Sequence, residues 1–200
     1  MTETILITGA SGFLGKRITR FLQRTSDAYL LTTSRQQESF PNHLVRDLSN
    51  ITNELTMNVD TVIHFAGLAA HHSANEQDFI QSNVVNTENL VNVAIESGVK
   101  RFIFISTTDV YGTNTDDTLM IEEGSPLLPR TPFAQSKLEA ENALKKLCEQ
   151  SSMSFVILRL PLIYHIDAVN HFGQYILTVK SGRSFPLAKT KKPRRMFALC

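Results

Sequence analysis

From residue 4 onward, short apolar runs alternate with stretches of helical spacing. The runs are TILIT (4–8), AYLLTTS (28–34), DTVIHFAG (60–67), RFIFIST (101–107) and SFVILRL (154–160). They are nearly continuous in apolar and β-branched residues, the signature of strands buried on both faces of a parallel sheet. Between them, Leu14, Ile18, Phe21 and Leu22 follow helical spacing, as do Phe79, Ile80, Val84 and the segment 90–95, which Gly98 closes as a C-terminal cap. A third helix is predicted over 133–149, carrying Leu138, Ala140, Leu144 and Leu147. Strand–helix alternation of this kind predicts right-handed crossovers and a doubly wound parallel α/β sheet. After about residue 160 the pattern loosens to one helix near 171–181, a basic loop and a short apolar end. The expected division is therefore a first unit over 1–165 and, over 166–200, the start of a smaller, incomplete one.

Composition narrows the class. A chain of 200 residues can bury roughly 70% of its unfolded surface, enough for a core without staples. Apolar residues at 42% and charged residues at 20% are the mixture of a soluble globular protein. A net charge of +1 gives no drive toward nucleic acid or an anionic membrane. The two cysteines, Cys148 and Cys200, have no metal or disulfide spacing, and Cys148 falls in an apolar helical phase as a small buried hydrophobe. No 18-residue apolar run could span a bilayer, and a strand already begins by residue 5. No signal peptide or membrane anchor is expected, and the cytoplasm is the expected location.

The stretch ILITGASGFLGKRI (5–18) carries the first chemistry. Gly9, Gly12 and Gly15 follow the first strand directly and open the first helix. A dinucleotide pyrophosphate needs a tight turn, a close backbone approach and a helix N-terminus aimed at it. Gly9 suits the turn, Gly12 the approach and Gly15 the helix–strand packing, with Ser11, Phe13 and Leu14 filling out the loop. At the end of the second strand, an acidic residue would bond a ribose 2′-OH, whereas an arginine suits a 2′-phosphate. Here stand Ser34 and Arg35, with no carboxylate until Glu38. Arg35 can fork onto a phosphate and Ser34 can donate to it, which favours NADP over NAD.

These glycines and the motifs after them resemble the extended short-chain dehydrogenase/reductase family, the NAD-dependent epimerase/dehydratases of nucleotide sugars, with a Rossmann-like NAD(P)-binding fold. The resemblance runs from residue 4 to about 165. RDLS (46–49) is similar to the family's acidic–aliphatic pair, which implies Asp47 on the adenine amino group and Leu48 near the ring. VIHFAG (62–67) resembles its V-x-H-x-A-A stretch, implying that Phe65, Ala66 and Gly67 pass close to the cofactor. SNVVNTENLV (82–91) resembles N-V-x-G-T-x-N-L, with Asn83 in place and Asn86 where glycine is usual. LRLPLIYH (158–165) resembles L-R-P-x-x-V-Y-G, with Pro161 and Ile163 at cofactor-lining positions and Leu160 and His165 as departures.

The same resemblance implies a reacting centre. FIFISTTDVYG (102–112) looks like the strand that ends in the active-site hydroxyl, which falls on Thr107, with Thr108 beside it as a substrate contact. TPFAQSKLEAE (131–141) aligns with Y-x-x-x-K followed by S-K-x-x-x-E. In the family the tyrosine moves the proton during hydride transfer, and the lysine lowers its pKa and holds the nicotinamide ribose. Lys137 matches the lysine. Phe133 stands in the tyrosine's place and has no proton to give. A positioned general acid/base is worth about 10²–10⁴-fold, so the activity implied is an impaired one, unless a neighbour such as Tyr111 has taken over.

Toward the end, Arg195 (with Arg194) and His171 fall where the family contacts the sugar-nucleotide diphosphate. Five of the seven residues in KTKKPRR are basic, and such a run is equally a solvated loop. The function expected is hydride transfer on a nucleotide sugar by an epimerase, dehydratase or reductase. Two alternatives stand beside it: a catalytically inactive NAD(P)-binding sensor or scaffold, and a non-functional fragment. A nucleotide-sugar small molecule is the expected partner, with neither nucleic acid nor membrane. The resemblance also implies a homodimer through the helix bearing Lys137, and it implies no metal.

Overall fold

The computed structural model describes residues 2–70, 74–112, 120–164 and 197–199. Six parallel strands form one sheet in the order β3-β2-β1-β4-β5-β6: β1 (Thr4–Thr8), β2 (Tyr29–Ser34), β3 (His43–Val45), β4 (Thr61–His64), β5 (Arg101–Thr107) and β6 (Ser154–Leu160). Strand order reverses between β1 and β4. In open α/β sheets that reversal opens a crevice at the carboxyl ends of the strands, where ligands bind. Two short strands, β7 (Leu162–Tyr164) and β8 (Phe197–Leu199), pair in parallel as a separate ribbon.

Alternation along each strand divides the core. On one face, Leu6, Val62, Phe102 and Phe104 are fully buried beneath α3 (Asn86–Glu96) and α4 (Pro132–Cys148), with Leu90, Val91, Ala140 and Leu144. On the other, Ile5, Ile7 and Leu30 meet Leu22 of α1 (Phe13–Thr25). Cys148 is buried in the first cluster, as its helical phase predicts. Along β6, Phe155, Val156 and Leu158 are exposed.

Local chemistry sets the helix ends. α4 starts where Thr131 accepts from the Ala134 N–H at 3.1 Å and Pro132 takes the first turn. α3 ends as the glycine predicts: Gly98 adopts φ +75°, and its N–H and that of Val99 close onto Ile95 and Ala94.

Three elements differ from the sequence expectation. β3 is only three residues long, too short to show a period, and its register is held by Thr33 Oγ1 donating to the Leu44 carbonyl at 2.9 Å. The fourth strand stops at His64, because the chain then turns across the glycine loop, with Gly67 at φ +148°. The expected long helix from Phe79 is three pieces: α2 (Glu76–Phe79), a π-helical turn (Ile80–Val85) and α3. The extra residue in a π turn shifts the helical phase, and here it turns Asn83 into the interior. The expected helix at 171–181, the boundary at 165/166, and His171, Arg194 and Arg195 lie outside the described residues.

Candidate functional site

The glycine loop is built against its neighbours without a margin. Gly9 has φ +68°, and a Cβ there would sit 2.6 Å from the Ala66 nitrogen. A Cβ on Gly15 would sit 2.2 Å from the Gly9 carbonyl oxygen. The first requirement seats the 65–67 segment on the loop, and the second lets α1 start directly beneath it. α1 begins at Phe13 with Gly12 as its cap residue, which has no side chain to cap the helix. A positive helix end of this kind, following a glycine turn, suits an anion such as a pyrophosphate. Arg17 folds back over Phe13, its guanidinium carbon 3.8 Å from the ring centroid.

At the end of β2 the expected phosphate donors separate. Ser34 is buried, and its hydroxyl donates to the Gln36 carbonyl at 2.7 Å, so the donation to a 2′-phosphate expected of it is not available in this arrangement. Arg35 is exposed beside it. Glu38 pairs with Lys16 of α1 at 2.9 Å. Asp47 accepts from the Ser49 N–H at 2.9 Å, and that bond, helped by Arg35, holds its carboxyl below the usual range. Leu48 points into the core rather than toward an open ring site.

At the carboxyl ends of β1 and β4 a line of hydrogen bonds joins the loops. Thr87 Oγ1 donates its one proton to the Asn83 carbonyl at 2.7 Å, so it accepts from His64 Nε2 at 3.0 Å. His64 Nδ1 is then an acceptor, and Thr8 Oγ1 donates to it at 2.6 Å while taking the Ala66 N–H at 3.3 Å. The imidazole lies between Phe102 and Phe104, both centroids 5.8 Å away. Burial, reinforced by the nearby charge of Lys137, pushes its pKa down to about 3. This histidine is a neutral bridge and not a proton carrier.

Asn83 carries the line onward. Its side chain takes the Leu68 N–H at 2.7 Å and donates to Ser136 Oγ at 2.9 Å, and Ser136 in turn donates to the Phe133 carbonyl at 2.8 Å. Asn83 thus ties the loop after β4 to the first turn of α4. The Asn86 departure falls at the start of α3, half-buried, with its side-chain oxygen 3.4 Å from Gln81 Nε2.

Phe133 and Lys137 project from one face of α4. The Phe133 ring meets Phe79 edge-on, centroids 6.0 Å apart. The Lys137 side chain is buried, with its ammonium 4.1 Å above the Phe104 ring. Burial lowers its pKa to about 7 against the opposing pull of Glu141. Thr107 ends β5 half-buried and accepts from the Asp109 N–H at 3.2 Å. Thr108 follows it at the start of a 3₁₀ turn (Thr108–Tyr111). Pro161 and Ile163 are half-buried just past β6.

The Tyr111 hydroxyl is engaged on both sides. Its OH accepts from Arg159 Nη1 at 2.7 Å and donates to the Glu123 carbonyl at 3.3 Å. Arg159 belongs to a cluster that sequence reasoning passed over. Glu141, fully buried, takes Ser106 Oγ at 2.6 Å and Arg159 Nη2 at 2.6 Å. The signal was present: Glu141 stands four residues beyond Lys137, and only a partner could justify a carboxylate on that inward face.

A model of the NAD dependent epimerase/dehydratase family matches residues 5–198. The UDP-glucose 4-epimerase of Vibrio cholerae is 30% identical over 204 residues, covering 98% of this chain and 62% of the relative. The curated relatives it matches are longer, and the chain spans about half to two-thirds of them. Among solved structures, the UDP-N-acetylglucosamine 4-epimerase of Methanobrevibacter ruminantium in complex with UDP-N-acetylmuramic acid superposes with TM-score 0.84 at 23% identity, over all of this chain and 70% of that one. A tyrosine-to-phenylalanine mutant of the Bacillus cereus UDP-glucuronic acid 4-epimerase, in complex with NAD and UDP-4-deoxy-4-fluoro-glucuronic acid, superposes with TM-score 0.78 at 22% identity, over 90% of this chain and 64% of that one.

Proposed function

The chain belongs to the NAD dependent epimerase/dehydratase family, and from that premise we propose that it forms the cofactor-binding and reacting part of an NAD(P)-dependent oxidoreductase acting on a nucleotide sugar. One observation carries the reading. The uncapped start of α1, cradled by Gly9, Gly12 and Gly15, lies at the same end of the sheet as Thr107 and Lys137. Its amide donors suit a pyrophosphate, so the residues present fit the cofactor the family implies. A bound nicotinamide dinucleotide would supply a hydride acceptor and donor.

The chain's own groups do the rest. The first turn of α1 faces the phosphates, with Ser11 beside it, while the Gly12 N–H closes the glycine turn onto the Gly9 carbonyl at 2.9 Å. Phe65, Ala66 and Gly67 wall the cofactor cleft, and Asn83 fixes that wall to α4. Asp47 faces the adenine side, Pro161 and Ile163 the nicotinamide side, and Lys137 the ribose. Thr107, with Thr108, presents a hydroxyl to the reacting oxygen of the sugar. Phe133 removes the tyrosine hydroxyl and lowers turnover. Arg35 supports a preference for NADP, since it is the exposed guanidinium at the end of β2, whereas the Ser34 hydroxyl is engaged elsewhere.

Fluorescence titration with NADH and NADPH tests the binding half: both should bind at micromolar level, NADPH more tightly, and a flat response to both would end the reading. Turnover of UDP-keto sugars by the chain and by Phe133→Tyr tests the chemistry. The packing of Phe133 against Phe79 favours a second reading, a dinucleotide-binding homologue without turnover. Binding with no turnover even in Phe133→Tyr selects it.

A further inference from the structure

Lys137 is buried over an aromatic ring, and Glu141, the carboxylate one turn further along α4, is bound to other donors. We propose that Lys137 itself takes and returns the proton of the reacting sugar hydroxyl, at the spot where relatives of the family use a tyrosine. This rests on the hydride-transfer reading above and goes beyond the ribose clamp.

The geometry comes first. Lys137 lies one helical turn from Phe133 on the same face of α4, at the end of the sheet where β5 ends in Thr107. Below it is the Phe104 ring, at 4.1 Å. The ring face attracts the ammonium but offers no hydrogen-bond acceptor to hold its protons. Glu141, on the next turn of α4, is the carboxylate whose charge acts on Lys137, but its oxygens are already taken. Oε1 receives Ser106 and Arg159 Nε at 2.6 and 3.0 Å, and Oε2 receives Arg159 Nη2 at 2.6 Å. His64, facing Lys137 from β4, is neutral and bonded at both nitrogens. Arg159, from β6, adds a second cation beyond Glu141.

Nothing in this shell holds the extra proton firmly, and burial disfavours it; the pKa falls to about 7. At neutral pH a free lone pair is therefore available where a base is needed. Thr107 is no substitute, because an unperturbed hydroxyl is far too weak a base, though it can bond the sugar oxygen and orient it. The step balances. With a bound nicotinamide to accept the hydride of the carbinol C–H, the C–O bond would become C=O. The hydroxyl proton passes to Lys137 Nζ, turning amine to ammonium. In the reverse direction the ammonium returns that proton to the oxygen.

Two measurements on the full 200-residue chain test this. Trace acetylation from pH 5 to 11, read peptide by peptide by mass spectrometry, should show Lys137 reacting with a midpoint near 7, against about 10.4 for free lysine. A midpoint at the free-lysine value overturns the proposal, and so does failure to react at any pH, since an unreachable amine cannot serve a substrate. Lys137→Arg keeps a cation and donors for the ribose but cannot release a proton near neutrality. It should lower turnover by about 10²-fold or more while NADH affinity stays within a few fold. Retained turnover in that variant also overturns the proposal. Absent turnover in both the parent chain and Phe133→Tyr removes the hydride-transfer reading and this role together, whereas turnover with ordinary labelling removes this role alone.

Discussion

The Glu141 carboxylate, fully buried in α4, holds the Arg159 guanidinium of β6 at 2.6 Å through Oε2. Ser106 of β5 donates to the other oxygen, so one side chain fixes a helix to two strands at the end of the sheet where the site lies. The pairing also raises the pKa of Arg159, chiefly through its bond to Glu141.

Breaking that pair should cost far more than an exposed one. Glu141→Ala leaves a partly buried guanidinium and the Ser106 hydroxyl without their acceptor, and we expect a loss of about 3–5 kcal/mol in urea unfolding. Lys100→Ala, which removes the exposed pair with Asp60 at 2.7 Å, should cost far less, because water and salt screen such a pair. Equal losses would refute the ranking.

Phe133→Tyr should restore a hydroxyl beside Lys137. The expected gain in turnover is at least tenfold and up to about 10⁴-fold, with cofactor affinity unchanged. The rate of NADH appearance in single-turnover mixing with a UDP-sugar reads it directly. An unchanged rate would mean that the vacancy is not what limits the chemistry.

The glycines should separate by environment. Gly15→Ala drives a Cβ to 2.2 Å from the Gly9 carbonyl, so it should displace the loop, abolish dinucleotide binding and lower Tm. Gly124→Ala meets nothing within 4 Å and needs no left-handed backbone, so it should stabilise by about 0.4–1 kcal/mol. Binding retained in Gly15→Ala would show that the loop has room to relax.

His64 sets an acid limit. Its pKa in the folded chain is about 3 against an ordinary 6.5. Between those values the unfolded chain binds the proton and the folded chain does not, so stability falls as pH drops through the window. The slope contributed is about 1.4 kcal/mol per pH unit. Urea unfolding from pH 7 to 4 should show this fall, and His64→Asn, less stable overall, should show a flatter one. A parallel fall in both would assign the acid limit to other groups.

How much of this could be read in the chain depends on the range of the interaction. The glycine loop, the main strands and the Gly98 cap are local, written in neighbouring residues. So was the geometry of Phe133 and Lys137, since helical period alone places them together. What escaped were features decided by partners far along the chain. The π turn at Ile80–Val85 looks like ordinary helix until Asn83 is seen to need Leu68 and Ser136. Ser34 is a different case: its acceptor, the Gln36 carbonyl, is only two residues away, and the bend of the chain after β2 is what brings the two together. Glu141 acquires meaning only when β6 brings Arg159 to it, 18 residues later.

The line from Thr8 through His64 and Thr87 to Asn83, continued by the Asn83 side chain through Ser136 to Phe133, has a further property. Each hydroxyl on it owns one proton, so once the Asn83 and Phe133 carbonyls are acceptors, every upstream donor is determined. Its two segments run in one direction, the first ending on the Asn83 carbonyl and the second starting from the Asn83 side-chain amide. Reversing any member would break its segment, because each ends on a carbonyl that can only accept. The buried polar interior therefore has one arrangement rather than several of similar energy. The loop after β4 and the turn carrying Phe133 are held in register without a charge between them.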